Sequence, residues 1–329
     1  MTTTTIDSQV QRKLIEIIRI LHENKDPIGA RLIADRMNER GYAIGERGVR
    51  YHLRILDERG LTKRQGYDGR VITEQGINEL NSALVGDRVG FIINRIEKLI
   101  YDTTFDLKTG EGTVIINTSI IDKNDVDKTM EIVRHVIYNG YPISPYIKLI
   151  DEGTVTSDIE IPDGKLGLAT MCSITVDGIL LNNGIPVTPK YGGILEIKNR
   201  KPVHFEELIE YNGTSIDPMR IFMAKKMTGV LPAVDTGSGK LLANLREIPM
   251  SAVSEAEKIL ATVMDTRIGG IVEIGEPGKS VLNAPVVTGK VGVVVYAGTN
   301  AMAAVEESGI DVTTYPISTI MDFKELKKL

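Results

Sequence analysis

The spacing of apolar residues at the start of the chain predicts an opening helix that begins at Ser8. Its inward positions recur at helical intervals and are Val10, Leu14, Ile17, Ile18 and Leu21. Pro27 lies just beyond this helix, where a proline ring prevents its continuation. The same spacing predicts a second helix over residues 30–38 and, after a break at Gly41, a third over 45–58. Three short helices therefore open the chain.

The second and third predicted helices each divide into an apolar face and a polar face. The apolar faces carry Leu32, Ile33 and Met37 in the second helix, and Val49, Leu53 and Leu56 in the third. The other faces of the third helix carry Arg47, Arg50, Tyr51 and Arg54. A helix that packs on one side and presents arginines on the other is typical of one that enters a DNA groove.

A hairpin and a further helix follow. Residues 61–65 and 70–72 have the composition of strands, and residues 66–69 form the turn between them. The hairpin carries three cations suited to phosphate contacts, namely Lys63, Arg64 and Arg70. Thr73 is a suitable cap for the helix that completes the module. This order of elements predicts a winged helix-turn-helix as the first domain, residues 1–84.

The segment GVRYHLRILDERGLTKRQGYDGRVITEQG, residues 48–76, resembles winged-helix transcription regulators. The likeness covers the third helix, the corner after it, the hairpin and the start of the next helix. It implies a domain that binds double-stranded DNA. Some winged helices bind proteins or RNA instead, and this reading stays open as an alternative.

The rest of the chain contains an internal repeat. The stretch GKLGLATMCSITVDGILLNNGIPVT, residues 164–188, aligns without a gap with GKVGVVVYAGTNAMAAVEESGIDVT, residues 289–313. A weaker match upstream places Asn117 over Asn244. Each copy has the pattern of a strand, a loop of small residues, a short helix, a Gly-Ile turn and a second strand. We therefore expect two lobes that are copies of one unit.

The predicted lobes cover residues 112–236 and 237–329, and an entry segment over 85–111 precedes them. Apolar residues in that segment predict a packed linker helix, namely Ile92, Ile93, Ile96, Leu99 and Ile100. The expected fold class is thus a multidomain α+β and α/β protein. It joins an N-terminal winged helix-turn-helix to a duplicated two-lobed α/β effector domain.

The net charge of −5 hides a difference between the two parts of the chain. Residues 1–84 contain 14 Lys and Arg against 12 Asp and Glu, whereas the remainder contains 25 against 32. A surplus of two positive charges is small, because nucleic-acid binding depends on where the cations lie. The charge count alone therefore does not predict DNA binding, and the prediction depends on where the arginines lie.

Several classes of protein are disfavoured by the sequence. No stretch approaches the roughly 20 apolar residues that span a bilayer, and the opening Thr-rich run lacks a signal core, so a cytoplasmic protein without membrane contact is expected. Cys172 is the single cysteine, which excludes an intramolecular disulfide. The four histidines show no metal-ligand spacing. We expect no metal and no cofactor.

Two loops of the repeat are candidates for binding an anionic effector. Each follows a strand and opens a helix, where free N–H groups and the helix dipole favour negative charge. The first loop offers Cys172, Ser173 and Thr175, and the second offers Gly298, Thr299 and Asn300. Candidate partners for carboxylates are Lys190, Arg246 and Arg267. Ordinary strand-to-helix turns are the alternative interpretation of both loops.

The motifs that suggest catalysis are incomplete. The stretch GEPGKS, residues 275–280, lacks the first glycine of a phosphate-binding loop. Cys172 has no histidine nearby in sequence, although His135 or His204 could approach it in the fold. We therefore predict no catalytic residues and no enzyme.

The chain as a whole resembles the archaeal NrpR family of nitrogen-regulatory repressors. The likeness rests on the winged helix followed by LATMCSITVDGILLNNGIPVTPKYGGILEI, GSGKLLANLREIPMSA and GGIVEIGEPG. It implies a repressor of nitrogen-assimilation genes that leaves its operator when 2-oxoglutarate accumulates. It also implies a homodimer or larger assembly, with a second regulatory-domain protein as a further candidate partner, because some members carry two regulatory domains.

Two other functional classes remain alternatives. One is an enzyme of small metabolites fused to a winged helix. The other is an RNA-processing factor, since a similar winged helix accompanies some ribonucleases. The second class predicts a cluster of metal-binding carboxylates, and none is evident in the sequence.

Overall fold

The computed structural model describes residues 8–24, 26–66, 68–80, 91–139, 141, 144–156, 159–266 and 268–329. The chain forms two compact units, residues 1–88 and residues 89–329. Within the described ranges, no helix combines the length and apolarity needed to cross a membrane.

The first unit is a winged helix. Its elements are α1 (Ser8–His22), α2 (Ala30–Glu39), α3 (Glu46–Glu58), β1 (Thr62–Gln65), β2 (Gly69–Ile72) and α4 (residues 74–80). The predicted order of three helices, hairpin and helix is confirmed. The Thr73 hydroxyl accepts a hydrogen bond from the Gly76 N–H at 3.0 Å, as expected of an N-terminal cap. The predicted end of α4, residues 81–84, lies outside the described residues.

The core of the winged helix contains most of the predicted inward positions. Leu14, Ile17, Ile18, Leu21, Ile33, Met37, Val49, Leu53 and Leu56 are all buried. Val10 is partly buried against this core, whereas 44% of Leu32 is exposed and its predicted burial is wrong. Ile33 and Met37 already define the inward face of α2, and the residue before Ile33 is rotated about 100° away from it.

The wing is tied to the helices by a short backbone bridge. The Arg70 N–H donates to the Ile28 carbonyl and the Ile28 N–H donates to the Arg70 carbonyl. Gly69 permits this approach, because a Cβ there would lie 2.3 Å from the Ile28 carbonyl group. The hairpin is therefore held in place by α1 and the segment after it.

The second unit alternates strands and helices. Its elements are α5 (Phe91–Asp102), β3 (Thr113–Asp122), α6 (Val126–Tyr138), β4 (Tyr146–Ile150), β5 (Val155–Thr156), β6 (Ile159–Glu160), β7 (Lys165–Met171), α7 (Thr175–Asn182), β8 (Thr188–Lys198), β9 (Lys201–Glu210), α8 (Pro218–Ala224), α9 (Val230–Thr236), β10 (Gly239–Pro249), α10 (Val253–Asp265), β11 (Ile271–Ile274), β12 (Lys290–Tyr296), α11 (Asn300–Glu307), β13 (Val312–Asp322) and β14 (Lys327–Lys328). The sequence β3, α6, β4, β7, α7, β8 recurs as β10, α10, β11, β12, α11, β13.

Two five-stranded antiparallel sheets form the centre of this unit. The first sheet has the order β13-β3-β7-β4-β14, and the second has the order β11-β12-β10-β8-β9. Strand β8 leaves the first half of the unit to pair with β10, and β13 leaves the second half to pair with β3. Neither sheet is therefore confined to one of the predicted lobes, 112–236 and 237–329.

The helices are exchanged between the halves in the same way. Helix α6 packs with α11, and α7 packs with α10, so each pair takes one helix from each half. The two main cores contain residues from both sheets. Helix α5, which falls in the predicted entry segment 85–111, packs on β3, α7 and β13 and belongs to this unit.

Close packing of α5 against α7 is expected to make Gly178 essential for stability. A Cβ at Gly178 would lie 2.5 Å from the Cβ atom of Thr103, just after α5. We expect Gly178→Ala to lower the free energy of unfolding by about 1–3 kcal/mol through overpacking. Urea unfolding of the full chain measures this change. Gly213→Ala is the control, because nothing lies within 4 Å of that Cβ position. Equal stability of both variants would contradict the prediction.

Candidate ligand cavity and nucleic-acid interface

The two predicted ligand loops come together around one cavity in the second unit. The first loop follows β7 and the second follows β12, and each leads into a short helix, α7 or α11. Strands β7 and β12 lie in different sheets, and the exchange of β8 and β13 brings their ends together. The residues that line the cavity are Asn117, Cys172, Ser173, Ile174, Tyr211, Met219, Asn244, Ala297, Gly298, Thr299, Pro316 and Ile317.

The cavity lining follows the internal repeat. Four pairs of aligned positions face one another, namely Asn117 and Asn244, Cys172 and Ala297, Ser173 and Gly298, and Ile174 and Thr299. In the sequence, the two aligned asparagines stand out only as markers of the repeat. Their alignment within β3 and β10, the first strands of the two halves, was the available signal that they belong to the site. Tyr211 and Met219 gave no such signal, because they lie outside the aligned stretches of the repeat.

Thr175 and Asn300, both predicted to contact an effector, instead fix the fold. The Thr175 hydroxyl bonds the backbone N–H and carbonyl of Ile115. The Asn300 side chain bonds the backbone N–H and carbonyl of Leu242 in the equivalent way. Each residue thus ties the start of a helix to a neighbouring strand, and neither lines the cavity.

Two of the predicted cationic partners, Lys190 and Arg246, do not line the cavity. Lys190 is on β8, and its ammonium group pairs with Glu210 at 2.5 Å. Arg246 is fully buried on β10, with its Nε 2.7 Å from the Asp177 carboxylate on α7. The two remaining guanidinium nitrogens of Arg246 have no hydrogen-bond partner among the described residues. Arg267 lies outside the described residues.

A buried chain of hydrogen bonds closes the cavity. The Tyr211 hydroxyl donates to the Asn244 Oδ1 at 2.5 Å, and the Asn244 Nδ2 donates to the Ser173 Oγ at 2.6 Å. All three side chains are buried. The space left inside is about that of one water molecule. A ligand larger than water therefore requires some of the lining residues to move, and these three side chains are among them.

Unsatisfied polar groups line the same cavity. The Thr299 hydroxyl is buried and has no partner among the described residues. The backbone N–H groups of Ser173, Gly298 and Thr299 have no acceptor there either. Buried polar groups are almost always paired, so unpaired ones in a cavity indicate a site for water or a ligand. Free N–H groups at helix starts favour an anionic ligand.

Burial shifts the pKa values of the titratable groups around the cavity. It raises the pKa of the Cys172 thiol to about 12, so this group stays protonated and is not a nucleophile at neutral pH. Burial also raises the pKa of Asp177 to about 6, against the opposing effect of Arg246. The carboxyl of Asp217 likewise has its pKa raised by burial to about 6. These groups do not form an acid–base pair with a histidine.

A wider groove lies elsewhere on the second unit, between α8, α11 and the start of β13. Its walls include Glu306, Glu307, Asp311 and Lys226. Burial raises the pKa of Glu306, and the neighbouring Asp311 adds to this shift. An anion with two carboxylates would meet repulsion in this groove. The smaller cavity between the two loops is therefore the better candidate for such a ligand.

Helix α3 presents its arginines to solvent, as predicted. The exposed Arg50 pairs with Glu46 at 2.6 Å, and Arg54 lies 3.7 Å from Glu58. The Arg54 guanidinium also lies over the Tyr51 ring at 5.6 Å from its centroid. Arg47 is exposed and has no ion pair within the described part of the chain. Exposed pairs of this kind are weak, so all three arginines remain able to meet phosphates or bases.

The predicted wing cations differ in their roles. Lys63 and Arg64 are exposed, and the Arg64 Nε donates to the Gly66 carbonyl. The Arg70 Nε instead lies 2.7 Å from the Asp57 carboxylate of α3, in a half-buried pair. The other Asp57 oxygen accepts from Thr62. Arg70 thus anchors the wing to α3, in contrast to the freely projecting Lys63.

Known proteins match both units. Residues 89–328 match the family model described as NrpR regulatory domains NRD1 and 2, and residues 15–80 match the ribonuclease R winged-helix domain. The chain is 49% identical to the global nitrogen regulator NrpRI of Methanosarcina mazei, over 98% of this chain and 100% of that protein. It is 37% identical to global nitrogen regulator NrpR of Methanocaldococcus jannaschii, over 98% of this chain and 56% of that protein.

A solved structure also resembles this chain. The crystal structure of a nitrogen repressor-like protein from Methanococcus jannaschii superposes with a TM-score of 0.61 and 29% sequence identity. The match covers 71% of this chain and 96% of that one. The proteins named as relatives are regulators, and the family is one of non-enzymatic transcriptional regulators.

The buried carboxyl of Asp217 should make stability depend on pH. Its pKa is about 6 in the folded chain and about 4 when unfolded, so the folded state binds more protons between these values. Stability from this group is therefore lost as the pH rises through about 6. We therefore expect the free energy of unfolding of Asp217→Asn to rise relative to that of the wild type when the pH is raised from 5 to 7.5. The expected relative gain is about 1–3 kcal/mol.

Urea unfolding at the two pH values measures this gain, and titration of Asp177 cancels because both proteins contain it. Asp151→Asn is the matched control, since Asp151 is already exposed to water. A difference between Asp217→Asn and wild type that is the same at both pH values would contradict the prediction.

Proposed function

The chain belongs to the NrpR family of nitrogen regulators, and we propose on this basis that it represses nitrogen-assimilation genes and that 2-oxoglutarate releases it from DNA. Membership of the family supports a transcriptional regulator. The proposal adds the operator-binding surface, the effector and its site. The main support for the proposal is the cavity, which has unpaired buried polar groups and is lined by aligned residues from both halves of the unit.

The operator-binding surface is assigned to α3 and the tip of the wing. Arg47 lies at the start of α3, the end of a recognition helix that reaches base edges in helix-turn-helix proteins. Arg50, Tyr51 and Arg54 follow along the exposed face. Lys63 and Arg64 extend the positive surface to neighbouring phosphates.

Loss of Arg47 should weaken operator binding. We expect Arg47→Ala to lower affinity for a duplex selected from a random pool by about ten- to hundredfold at fixed salt, because an arginine–guanine contact would be lost. Fluorescence anisotropy measures the affinity. Arg134→Ala, an exposed arginine of the second unit, is the control. Tighter binding to RNA of the same sequence than to the duplex would favour the RNA alternative instead.

The cavity fits the chemistry of 2-oxoglutarate. This ligand has a carboxylate at each end, and the cavity has a helix start from each half of the unit. Ser173 offers a backbone N–H at one end, and Gly298 and Thr299 offer N–H groups at the other. Asp217, Asp177 and Arg246 all lie near enough to Cys172 to affect the pKa of its thiol, and Arg246 is paired with Asp177, so the free N–H groups are the main attraction for an anion. These features would offset the charge of a dianion.

Release from DNA follows from linkage. The effector must bind more tightly to the arrangement that holds the operator less tightly, and DNA must weaken effector binding by the same factor. A homodimer or larger assembly would supply two winged helices for paired half-sites, and a separate regulatory-domain protein is a further candidate partner. We infer that the two halves of the second unit arose by duplication, which explains the paired helix starts. Unchanged operator affinity on addition of 2-oxoglutarate at fixed salt would make this proposal wrong.

The Thr299 hydroxyl should contribute to effector binding but not to stability. We expect Thr299→Val to weaken 2-oxoglutarate binding about tenfold, because the hydroxyl would bond the ligand. It makes no bond in this structure, so the midpoint of thermal unfolding should not fall. Isothermal titration calorimetry measures the affinity.

Thr129→Val is the matched control for this experiment. Thr129 lies on α6 with a buried hydroxyl that also has no partner among the described residues, and it does not line the cavity. Both variants should therefore be equally stable, and only Thr299→Val should bind the effector less tightly. Wild-type affinity in Thr299→Val would exclude this hydroxyl from the site.

A further inference from the structure

The wall of the cavity is also the packing surface of α5. One apolar cluster contains Ile96, Leu99 and Ile100 of α5 together with Ile115 and four cavity-lining residues, namely Cys172, Ile174, Tyr211 and Ile317. The Tyr211 ring is 1% exposed, so it has no free side toward solvent. Residues that touch the cavity on one side therefore support α5 on the other.

Helix α5 is held by both halves of the unit. The Asn182 side chain, at the end of α7, donates to the Thr103 carbonyl just after α5. The Arg95 guanidinium donates to the Ser318 carbonyl on β13. Strand β13 and helix α7 come from different halves, β13 lines the cavity at Pro316 and Ile317, and α7 begins next to the lining residue Ile174. A change in spacing between the halves thus acts on α5 directly.

Tyr211 is one of the lining side chains whose movement would enlarge the cavity. The cavity holds about one water molecule, whereas 2-oxoglutarate has ten non-hydrogen atoms. The hydroxyl of Tyr211 closes the cavity through Asn244, and its ring is packed in the cluster with α5. Interiors are close-packed, so a displaced ring pushes its neighbours.

We propose that Tyr211 is a positioning residue that holds the cavity closed and couples it to α5, the first helix of the second unit along the chain. This inference rests on the proposed function and adds the route of regulation. The closed arrangement, with the Tyr211–Asn244 bond made, has the higher operator affinity. The effector breaks this bond, displaces the ring and shifts α5, through which the chain connects to the DNA-binding unit.

The hydroxyl can be removed without removing the ring. Tyr211→Phe should open the cavity more readily, so the full chain should bind 2-oxoglutarate about five- to tenfold more tightly. The concentration of 2-oxoglutarate that releases half of the bound operator should fall by the same factor. Without effector, backbone amides of α5 should exchange with deuterium faster than in the wild type.

Tyr141→Phe is the matched control, since Tyr141 is also buried and its hydroxyl bonds the Ala233 carbonyl away from the cavity. Ile100→Ala separates binding from coupling, because Ile100 packs in the cluster but does not line the cavity. This variant should keep its effector affinity within about twofold and lose most of the effect of 2-oxoglutarate on operator binding.

The outcomes distinguish this inference from the proposed function. Wild-type release of the operator by 2-oxoglutarate, with Tyr211→Phe identical to Tyr141→Phe in release and in α5 exchange, would overturn the role of Tyr211 alone. A wild-type chain that does not respond to 2-oxoglutarate would overturn the proposed function. In that case the exchange of α5 amides in Tyr211→Phe still decides whether Tyr211 holds this helix, even if Ile100→Ala does not fold.

Discussion

The exchange of the last strand between the two halves is the constraint on which the second unit depends. Strand β8 completes the sheet built on β10, and β13 completes the sheet built on β3. Neither half has a complete sheet by itself, because one of the two pairing partners of its first strand comes from the other half. The backbone ladders therefore join the halves, and the turns after β7 and β12 meet at the point where the chain changes sheets.

This topology explains why the cavity is symmetric in its backbone and asymmetric in its chemistry. Thr175 and Asn300 make equivalent bonds from a helix start to a strand, so both ends have the same framework. The buried pair of Asp177 and Arg246 has no counterpart, since Met302 occupies the position aligned with Asp177. Removal of either partner would leave a buried charge uncompensated, which is costly. The duplicated framework can thus hold a ligand whose two ends differ.

The winged helix was predictable because the sequence patterns that specify it lie within short stretches of the chain. Apolar residues of α1 and α3 recur at helical spacing, and the turn chemistry of the hairpin lies within four residues. The error at Leu32 was also local in origin. Leu32 is apolar and adjacent to the inward face of α2, and spacing alone does not separate such a residue from a buried one. Arg70 has the charge of a phosphate contact, but its pairing with Asp57 depends on where the wing folds back.

The sequence by itself determined the winged helix, the repeat and the two loops that line the cavity, because each is a pattern of neighbouring residues or a match between two stretches. Only the tertiary structure decided which side chains face the cavity. It assigned Thr175 and Asn300 to the framework, paired Arg246 with Asp177, and brought in Tyr211 from the turn after β9. These contacts join residues from different strands and helices. Their distances depend on sheet order and strand exchange, which no local spacing encodes.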